Sequence, residues 1–488
     1  MFKKVFKRIT ALTVAAVIGI SLVPTSFKVD AASKIGWNHD DDGWWYKNAD
    51  GSYLKSEWKF IKSDWYYFNS DGYMAHNEYR DGYWLGGDGR MSKKYKHGTW
   101  KSNDTGTWYQ DGSWYPKNQI VWINGEGYFF GERGYLYSDE FVKGIYVNTD
   151  GTASTMYNEG RWIHCDKGWK YWNYGWILKD GWYKINGSYY YFKSDGYLAD
   201  NEYIDGQYYK NGCKDYSCSD GQWIQNDKGW YYLDGDWYPK DMGLWIDDKY
   251  YIFDSLGYYD RDATNNAYEN TSKDDLVIVI DPGHEDDDGK RIFYGTNKDY
   301  GITNETNICL NIAKSLKKQL EQYDNVRVYM TRETNNVSIE LNERCEIGFR
   351  HDADLLVSIH LNASASGYTA SGTEVWYPNE NYRYSIYEEG RGVANSIQSQ
   401  LVSLGLSDRG AKTRTNKFYP IYGDGSLGDY YAIQRYSKLF GFPGLIVEHC
   451  FLDNKAEYDA YLSSQAKLDK QASAVCNGIV DYYGLELK

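Results

Sequence analysis

The stretch LVIVIDPGH occupies residues Leu276–His284. Its apolar first part, Leu276–Ile280, predicts a short strand. His284 follows this strand directly, at its carboxyl end. Open α/β sheets place their functional sites at the carboxyl ends of strands, so this polar residue is a candidate for chemistry.

Around this stretch, short apolar runs alternate with longer helical patterns. Further strands are predicted at Val326–Met330, Leu355–Ile359, Thr373–Trp376 and Gly444–Val447. Helices are predicted at Thr306–Tyr323, Glu340–Arg350, Gly392–Leu404 and Gln465–Tyr483. The alternation predicts an α/β domain over residues 275–488, with a mostly parallel sheet flanked by helices.

Three more polar residues occupy comparable positions in this domain. His360 ends the strand that begins at Leu355, and Glu448 ends the strand that begins at Gly444. Glu305 lies at the start of the first predicted helix, where the helix dipole favours a carboxylate. Two histidines and one carboxylate with an open fourth position form a catalytic zinc arrangement, and a separate Glu is the usual base beside it.

The local motifs resemble those of the zinc N-acetylmuramoyl-L-alanine amidases. His284 ends DPGH, Glu305 lies in TNETN, His360 lies in SIHLNA, and Glu448 precedes FLDN. The resemblance implies that His284, Glu305 and His360 bind one Zn²⁺ and that Glu448 is the catalytic base. It also implies that three further residues support the site or contact the substrate: Asn362, Arg332 and Arg344.

Two features of this region leave alternatives open. Cys450 is expected to share the strand face of Glu448, which makes a thiol nucleophile a competing hypothesis. His449 is expected to point to the opposite face, because neighbours on a strand alternate. The acidic run at 285–288 is expected to be a solvated loop, and the alternative is that it offers a substitute carboxylate to the metal or steers cationic groups.

Residues 33–264 have a different composition, dense in Trp, Tyr, Gly and Asp and poor in aliphatic residues. Landmarks recur about every 62 residues, which predicts four copies of one unit. Each unit contains aromatic strands separated by turn signals, so the array should be a solenoid of stacked β-hairpins. Residues 265–274 are predicted to be a linker.

This array resembles the choline-binding, or cell-wall-binding, repeats of Gram-positive surface proteins. Matching stretches include GWWY at Gly43–Tyr46, WYYF at Trp65–Phe68 and GWYY at Gly229–Tyr232. The resemblance implies aromatic cages for the quaternary ammonium of choline on teichoic acid, and a neutral wall polysaccharide is the competing ligand. The candidate wall-binding residues are Trp37, Trp44, Trp58, Trp65, Trp100, Trp108, Trp162, Trp169, Trp223 and Trp230.

The remaining features concern localisation. Residues 1–32 have a basic start, an apolar run and small residues at the end, which predicts a cleaved signal peptide and a secreted, wall-associated protein. A net charge of −14 argues against nucleic acid as a partner, and no membrane contact is expected after cleavage. Seven cysteines are too few for a disulfide scaffold, although Cys213 and Cys218 are close enough for a local bridge.

Three functions are compatible with these features. The first is a peptidoglycan amidase that removes stem peptides from muramic acid while its repeats bind the wall. The second is a wall-binding adhesin with a degenerate amidase domain. The third is an esterase or peptidase that uses the same zinc site on another wall polymer.

Overall fold

The computed structural model describes residues 34–92, 97–215, 221–247, 249–265, 275–284, 305–364, 369–418 and 420–488. The predicted signal peptide, the acidic run at 285–288, Cys218 and nearly all of the predicted linker lie outside these residues. The chain divides into two compact units. The first contains residues up to Asp139 together with Val147–Ser154, and the second contains Glu140–Tyr146 and Thr155–Lys488. The predicted domain boundaries stay predictions.

The N-terminal region is rich in strands that pair with their neighbours in sequence as antiparallel hairpins. In the first unit, the residues Gly36–Lys47 show the pattern, with Gly36 opposite Lys47 and Asp40 opposite Gly43. The strands are β1 Gly36–Asp40, β2 Gly43–Lys47, β3 Glu57–Ile61, β4 Asp64–Phe68, β5 Glu78–Arg80, β6 Tyr83–Leu85, β7 Thr99–Asn103, β8 Gly106–Gln110, β9 Gln119–Ile123 and β10 Glu126–Phe130. Aromatic rings rather than aliphatic chains dominate the small cores of these hairpins.

The hairpins continue from Glu140 onward. The strands are β11 Glu140–Val142, β12 Ile145–Val147, β13 Arg161–Cys165, β14 Gly168–Asn173, β15 Trp176–Ile177, β16 Gly181–Ile185, β17 Ser188–Phe192, β18 Glu202–Ile204, β19 Gln207–Lys210, β20 Cys213–Lys214, β21 Gln222–Asn226, β22 Gly229–Leu233, β23 Met242–Ile246 and β24 Lys249–Phe253. The predicted hairpins are therefore present, while their stacking into a solenoid stays a prediction.

The C-terminal region is an α/β domain, as predicted. Its strands are β25 Leu276–Pro282, β26 Val326–Met330, β27 Leu355–Asn362, β28 Thr373–Trp376, β29 Asp408–Lys412 and β30 Gly444–Phe451, and they form one sheet in the order β26-β25-β27-β30-β28-β29. Its longer helices are α1 Glu305–Leu320, α2 Leu341–Arg350, α3 Tyr384–Ser403, α4 Ala432–Phe440 and α5 Gln465–Tyr483. None of the described helices is long and apolar enough to cross a membrane.

The sheet is mixed rather than uniformly parallel. Strands β25, β26, β27 and β30 run parallel, whereas β28 is antiparallel to β30 and carries β29 at the edge. The sequence pattern does not predict β29, because DRGAK lacks an apolar run, or α4, which is only nine residues long. Helix α3 starts at Tyr384, eight residues before the predicted start at Gly392.

One hairpin of the repeat region, β13–β14, packs against the α/β domain within the second unit. The Trp172 ring stacks on Phe440 of α4 with 4.8 Å between centroids, and its Nε1 donates to the carbonyl oxygen of Leu439. Trp172 is only 1% exposed. We call Arg161–Asn173 the docked hairpin. Ile163, Cys165 and Trp172 of this hairpin belong to the same core cluster as α2, α4 and one face of the sheet.

Ion pairs flank this apolar contact. Arg161 Nη2 lies 2.7 Å from Glu346 Oε2, and Lys170 Nζ lies 2.6 Å from Asp352 Oδ1. The hydroxyl of Tyr197 donates to the other Asp352 oxygen at 2.7 Å. The docked hairpin is therefore held by both apolar packing and charge.

We expect the stability of this unit to fall as the pH drops through the acidic range. Burial would raise the pKa values of Asp352 and Glu346, but nearby cations and hydrogen bonds outweigh it and lower both. A carboxyl whose pKa is lower in the folded state stabilises the fold above its ordinary pKa of about 4 and loses that contribution as the pH falls through the folded-state pKa. The midpoint temperature of thermal unfolding should therefore be lower at pH values below about 4 than at neutral pH.

Asp352→Asn is the matched variant for this prediction. It removes the titrating group, so its unfolding midpoint should depend less steeply on pH than that of the wild type. The measurement is thermal unfolding followed by near-UV circular dichroism at several pH values. Parallel curves for the two proteins would contradict the assignment of this pH dependence to Asp352.

Candidate metal centre and active site

Three predicted ligands converge at the carboxyl edge of the sheet. His284 Nε2 lies 3.0 Å from Glu305 Oε1, and His360 Nδ1 lies 3.5 Å from the same oxygen. One ligand atom from each residue lies within 4.8 Å of the others, a spacing that could hold a metal ion. His284 follows β25, His360 is on β27, and Glu305 is the first residue of α1. Three separate elements thus supply the cluster.

The Glu305 carboxyl is poised as an anion. Burial would raise its pKa, but the hydrogen bonds with His284 and His360 hold the pKa at about 2. The backbone N–H of Leu361 also donates to Glu305 Oε1 at 2.8 Å. Its place at the N-terminus of α1 adds a favourable dipole. A cation between the two imidazoles would therefore meet a charged ligand.

Arg332 and Arg344 hold the loop that carries His284. Arg332 donates to the carbonyl oxygens of Pro282 and Gly283, and Arg344 donates to those of Pro282 and His284, at 2.7–3.2 Å. Both residues are only 3% exposed. His284 has φ of +60°, a left-handed conformation that surrounding bonds must maintain. These contacts hold the backbone of the loop that carries His284 to the candidate metal site.

Asp281 is a buried hydrogen-bond acceptor that links Arg344 to the neighbouring strands. The sequence alone assigned it no role. Its Oδ1 accepts from Thr331 Oγ1 at 2.6 Å and from Arg344 at 2.9 Å, and its Oδ2 accepts from Ser358 Oγ at 2.6 Å. The residue is 1% exposed. A charged residue inside an apolar strand was the available signal, because such a residue is rarely buried without partners.

Glu448 lies beside the three candidate ligands. It is in register with His360 on the neighbouring strand, so both side chains project from the same face. Its Oε2 is buried and is without a hydrogen-bond partner among the described residues. Burial raises the pKa of Glu448 to about 7, and the nearby carboxyls of Glu305 and Glu374 add to the effect. Such a group can both accept and release a proton near neutral pH.

The two residues after Glu448 point into the core. His449 Nδ1 lies 2.9 Å from Gln471 Oε1 on α5, which confirms that His449 faces away from the site. The prediction that Cys450 shares the Glu448 face is wrong. The pairing of β27 with β30 changes register after His360, so that two residues of β30 lie opposite one residue of β27. This β-bulge reverses the alternation of side chains, and Cys450 lies in the same apolar cluster as Val447. Burial also raises the pKa of this thiol well above its usual value.

Asn362 is hydrogen-bonded to Glu374, a residue that the sequence alone did not single out. Its Nδ2 donates to Glu374 Oε1 at 3.0 Å, and Glu374 is in register with Glu448 on β30. Glu374 lies within the predicted strand Thr373–Trp376, where a lone carboxylate among apolar residues was the signal. Asn362 therefore contacts a carboxylate beside the candidate base.

The candidate tryptophans of the repeats differ in how far they are exposed. Trp37, Trp100, Trp162 and Trp223 each lie 4.8–5.1 Å from a tyrosine ring of the next hairpin and 5.7–5.9 Å from a phenylalanine ring. Trp37, Trp162 and Trp223 are partly buried in the hairpin cores, whereas Trp100 is 39% exposed despite these contacts. The other exposed candidate rings are those of Trp44, Trp65, Trp169 and Trp230. The remaining two are intermediate, with Trp58 Nε1 bonded to Asp81 and Trp108 Nε1 bonded to Gln110.

The α/β domain matches known proteins in sequence. A family model described as N-acetylmuramoyl-L-alanine amidase matches residues 278–481. The uncharacterized protein YqiI of Bacillus subtilis is 30% identical over 208 residues, which are 42% of this chain and 84% of YqiI. The C-terminal domain of the chain belongs to the N-acetylmuramoyl-L-alanine amidase family.

Other members of the amidase family match the same part of the chain. The N-acetylmuramoyl-L-alanine amidase LytC of Bacillus subtilis is 31% identical over 225 residues, which are 45% of this chain and 39% of LytC. The chain thus spans less than half of LytC. A crystal structure of an N-acetylmuramoyl-L-alanine amidase from Clostridium difficile 630 is 26% identical, with a TM-score of 0.34, and the match covers 43% of this chain and 98% of that one.

The amidase domain is accompanied by recognised wall-binding units. A model described as a putative cell wall binding repeat matches residues 56–74, 180–198 and 221–236. These ranges contain Trp58, Trp65, Trp223 and Trp230 of the candidate binding residues. The match supports the resemblance drawn from sequence, without identifying the wall component.

Cys213 and the other described cysteines carry no disulfide. The free thiols are those of Cys165, Cys213, Cys309, Cys345, Cys450 and Cys476. Because the thiol of Cys213 is free, Cys213 does not form the local bridge that the sequence left open.

Proposed function

We propose that the chain is a secreted peptidoglycan hydrolase that cleaves the amide bond between N-acetylmuramic acid and the L-alanine of the stem peptide. The observation that carries this proposal is the cluster of His284, Glu305 and His360 with Glu448 in register beside it. Family membership supports the choice of an amide as the bond that is cut.

The donor set fits zinc. Two imidazole nitrogens and one carboxylate are typical of catalytic zinc sites, which keep a fourth position open. The partnerless Oε2 of Glu448 is the kind of buried acceptor that a water molecule in that position would satisfy. A bound zinc ion would supply positive charge that polarises the scissile carbonyl and acidifies a water molecule.

The chain's own residues perform the proton transfers. Glu448 accepts a proton from the attacking water and delivers it to the departing alanine nitrogen, which its pKa of about 7 allows. Arg332 and Arg344 keep His284 in its left-handed conformation, and Glu305 supplies the anionic ligand. The repeats bind choline-substituted teichoic acid or another wall polysaccharide through their exposed rings, and several weak sites together would retain the enzyme on the wall.

Mass spectrometry of digested peptidoglycan tests this function. Purified wall treated with the full chain should yield free stem peptides with an N-terminal alanine and glycan strands that lack them. Incubation with a chelator should abolish this release, and added Zn²⁺ should restore it. Intact muropeptides after digestion would contradict the amidase proposal and favour the adhesin, whereas cleavage at another bond would favour the esterase or peptidase alternative.

A further inference from the structure

A pair of cations lies on the outer strand of the sheet beside the candidate site. His360 on β27, Glu448 on β30 and Glu374 on β28 are in register on three adjacent strands, so their side chains form a row on one face. The next strand, β29, contributes Arg409 and Lys412. The row thus continues from the metal ligands, past the base, to two positive charges.

These two cations share one oxygen of a buried carboxylate. Arg409 Nε lies 2.9 Å and Lys412 Nζ lies 2.8 Å from the same oxygen of Glu374. Glu374 is only 5% exposed, whereas the side chains of Arg409 and Lys412 are 37% and 35% exposed. Glu457, a second buried carboxylate, also interacts electrostatically with Arg409. The two cations are thus far more exposed than the carboxylates beside them and present positive charge to solvent, in a chain whose net charge is −14.

Aromatic rings fix the two cations in place. Lys412 Nζ lies 5.5 Å from the Trp376 ring centroid, and the Arg409 guanidinium lies 4.9 Å from that of Phe451. The Trp376 ring in turn packs 5.2 Å from Tyr431. Donors that are already held in position lose little conformational entropy when a ligand binds. The cluster therefore has the charge and the rigidity of an anion-binding site.

We propose that Arg409 and Lys412 bind a carboxylate on the peptide part of the substrate, two to three residues beyond the scissile amide. This inference rests on the proposed function. The strand spacing of about 4.8 Å separates β29 from Glu448 by about 10 Å, and an extended peptide advances about 3.3–3.6 Å per residue. Guanidinium and ammonium groups form strong charge-assisted hydrogen bonds with carboxylates. Glu374 is a positioning residue that holds both cations.

A matched pair of substrates tests this subsite. The two are soluble muramyl peptides that differ only in one group, a free carboxylate or the corresponding carboxamide at the second or third peptide residue. We expect kcat/KM of the wild-type chain to be about tenfold higher for the carboxylate, the ratio that about 1.4 kcal/mol produces. The preference should shrink at high salt, because the cations are partly exposed. Equal hydrolysis of both substrates would overturn the proposal.

Variants separate a binding role from a structural one. Arg409→Gln and Lys412→Gln should each bring the carboxylate-to-carboxamide ratio toward one, whereas Arg409→Lys should retain most of it. Glu374→Gln should also lower the ratio, because it removes the charge that holds both cations in position. Lys314→Gln is the control, since it removes the same charge from the exposed side of α1.

The two substrates also show whether the carboxylate subsite alone or the proposed amidase function is wrong. If neither substrate loses its muramyl–alanine amide, the amidase proposal itself fails. If both are cut at that bond and the ratio is unchanged in Arg409→Gln and Lys412→Gln, only the carboxylate subsite is wrong.

Discussion

Glu448→Gln is expected to lower kcat about 10²- to 10⁴-fold while the chain retains its zinc. The amide that replaces the carboxylate has nearly the same shape but cannot accept a proton from water. Because Glu448 is separate from the three proposed ligands, the metal content should stay close to that of the wild type. Muropeptide release gives the rate, and elemental analysis of the purified variant gives the metal content.

Cys450→Ser is the matched control for this experiment, two residues further along the same strand. The thiol is buried in the core and its pKa is raised well above the usual value, so we expect this variant to remain active. Near-total loss of activity in folded Cys450→Ser, with activity retained in Glu448→Gln, would transfer the central role to the thiol. Both substitutions keep the side-chain volume nearly constant, so a difference between them reports chemistry.

Trp172→Ala should destabilise the second unit by about 3–5 kcal/mol, the usual cost of removing a buried aromatic side chain. The ring is buried against Phe440 of α4 and its N–H is bonded to the Leu439 carbonyl oxygen. Its removal leaves a cavity between the docked hairpin and the α/β domain. Urea unfolding of the full chain, followed by tryptophan fluorescence and circular dichroism, measures the loss.

Trp169→Ala is the control on the same strand. Trp169 is 45% exposed, and its ring contacts His164 within its own hairpin, so its loss should cost far less. A double-mutant cycle of Trp172→Ala with Phe440→Ala should then give a coupling of about 0.5–3 kcal/mol if the two rings interact across the interface. Equal destabilisation by Trp172→Ala and Trp169→Ala would show that the hairpin is not docked in solution.

Local sequence was sufficient for much of the candidate site. His284, His360 and Glu448 each follow or end a predicted strand, and parallel strands bring such positions to one edge of a sheet. Glu305 was identifiable because it opens a helix. The geometry of the three ligands agrees with this reasoning, while their chemical roles stay predictions.

The errors arose where a residue's orientation depends on its neighbours in space. Cys450 was assigned to the wrong face because strict alternation fails at a bulge, and a bulge exists only through pairing with β27. Strand β29 was missed because its stability comes from pairing with β28 rather than from apolar residues. For Arg332 and Arg344 the sequence left two roles open, support of the site or contact with the substrate, because it does not show that backbone carbonyls surround them.

The amino-acid sequence by itself determined the two kinds of architecture, the repeat period and the positions of the candidate ligands, because hydrophobic periodicity and strand ends are local properties of the chain. Only the tertiary structure decided that the docked hairpin joins the core of the α/β domain. Only the tertiary structure likewise places the side chains from His360 to Arg409 and Lys412 in one row across four strands. Contacts between residues far apart in sequence depend on strand order, register and surface complementarity, which no single segment encodes.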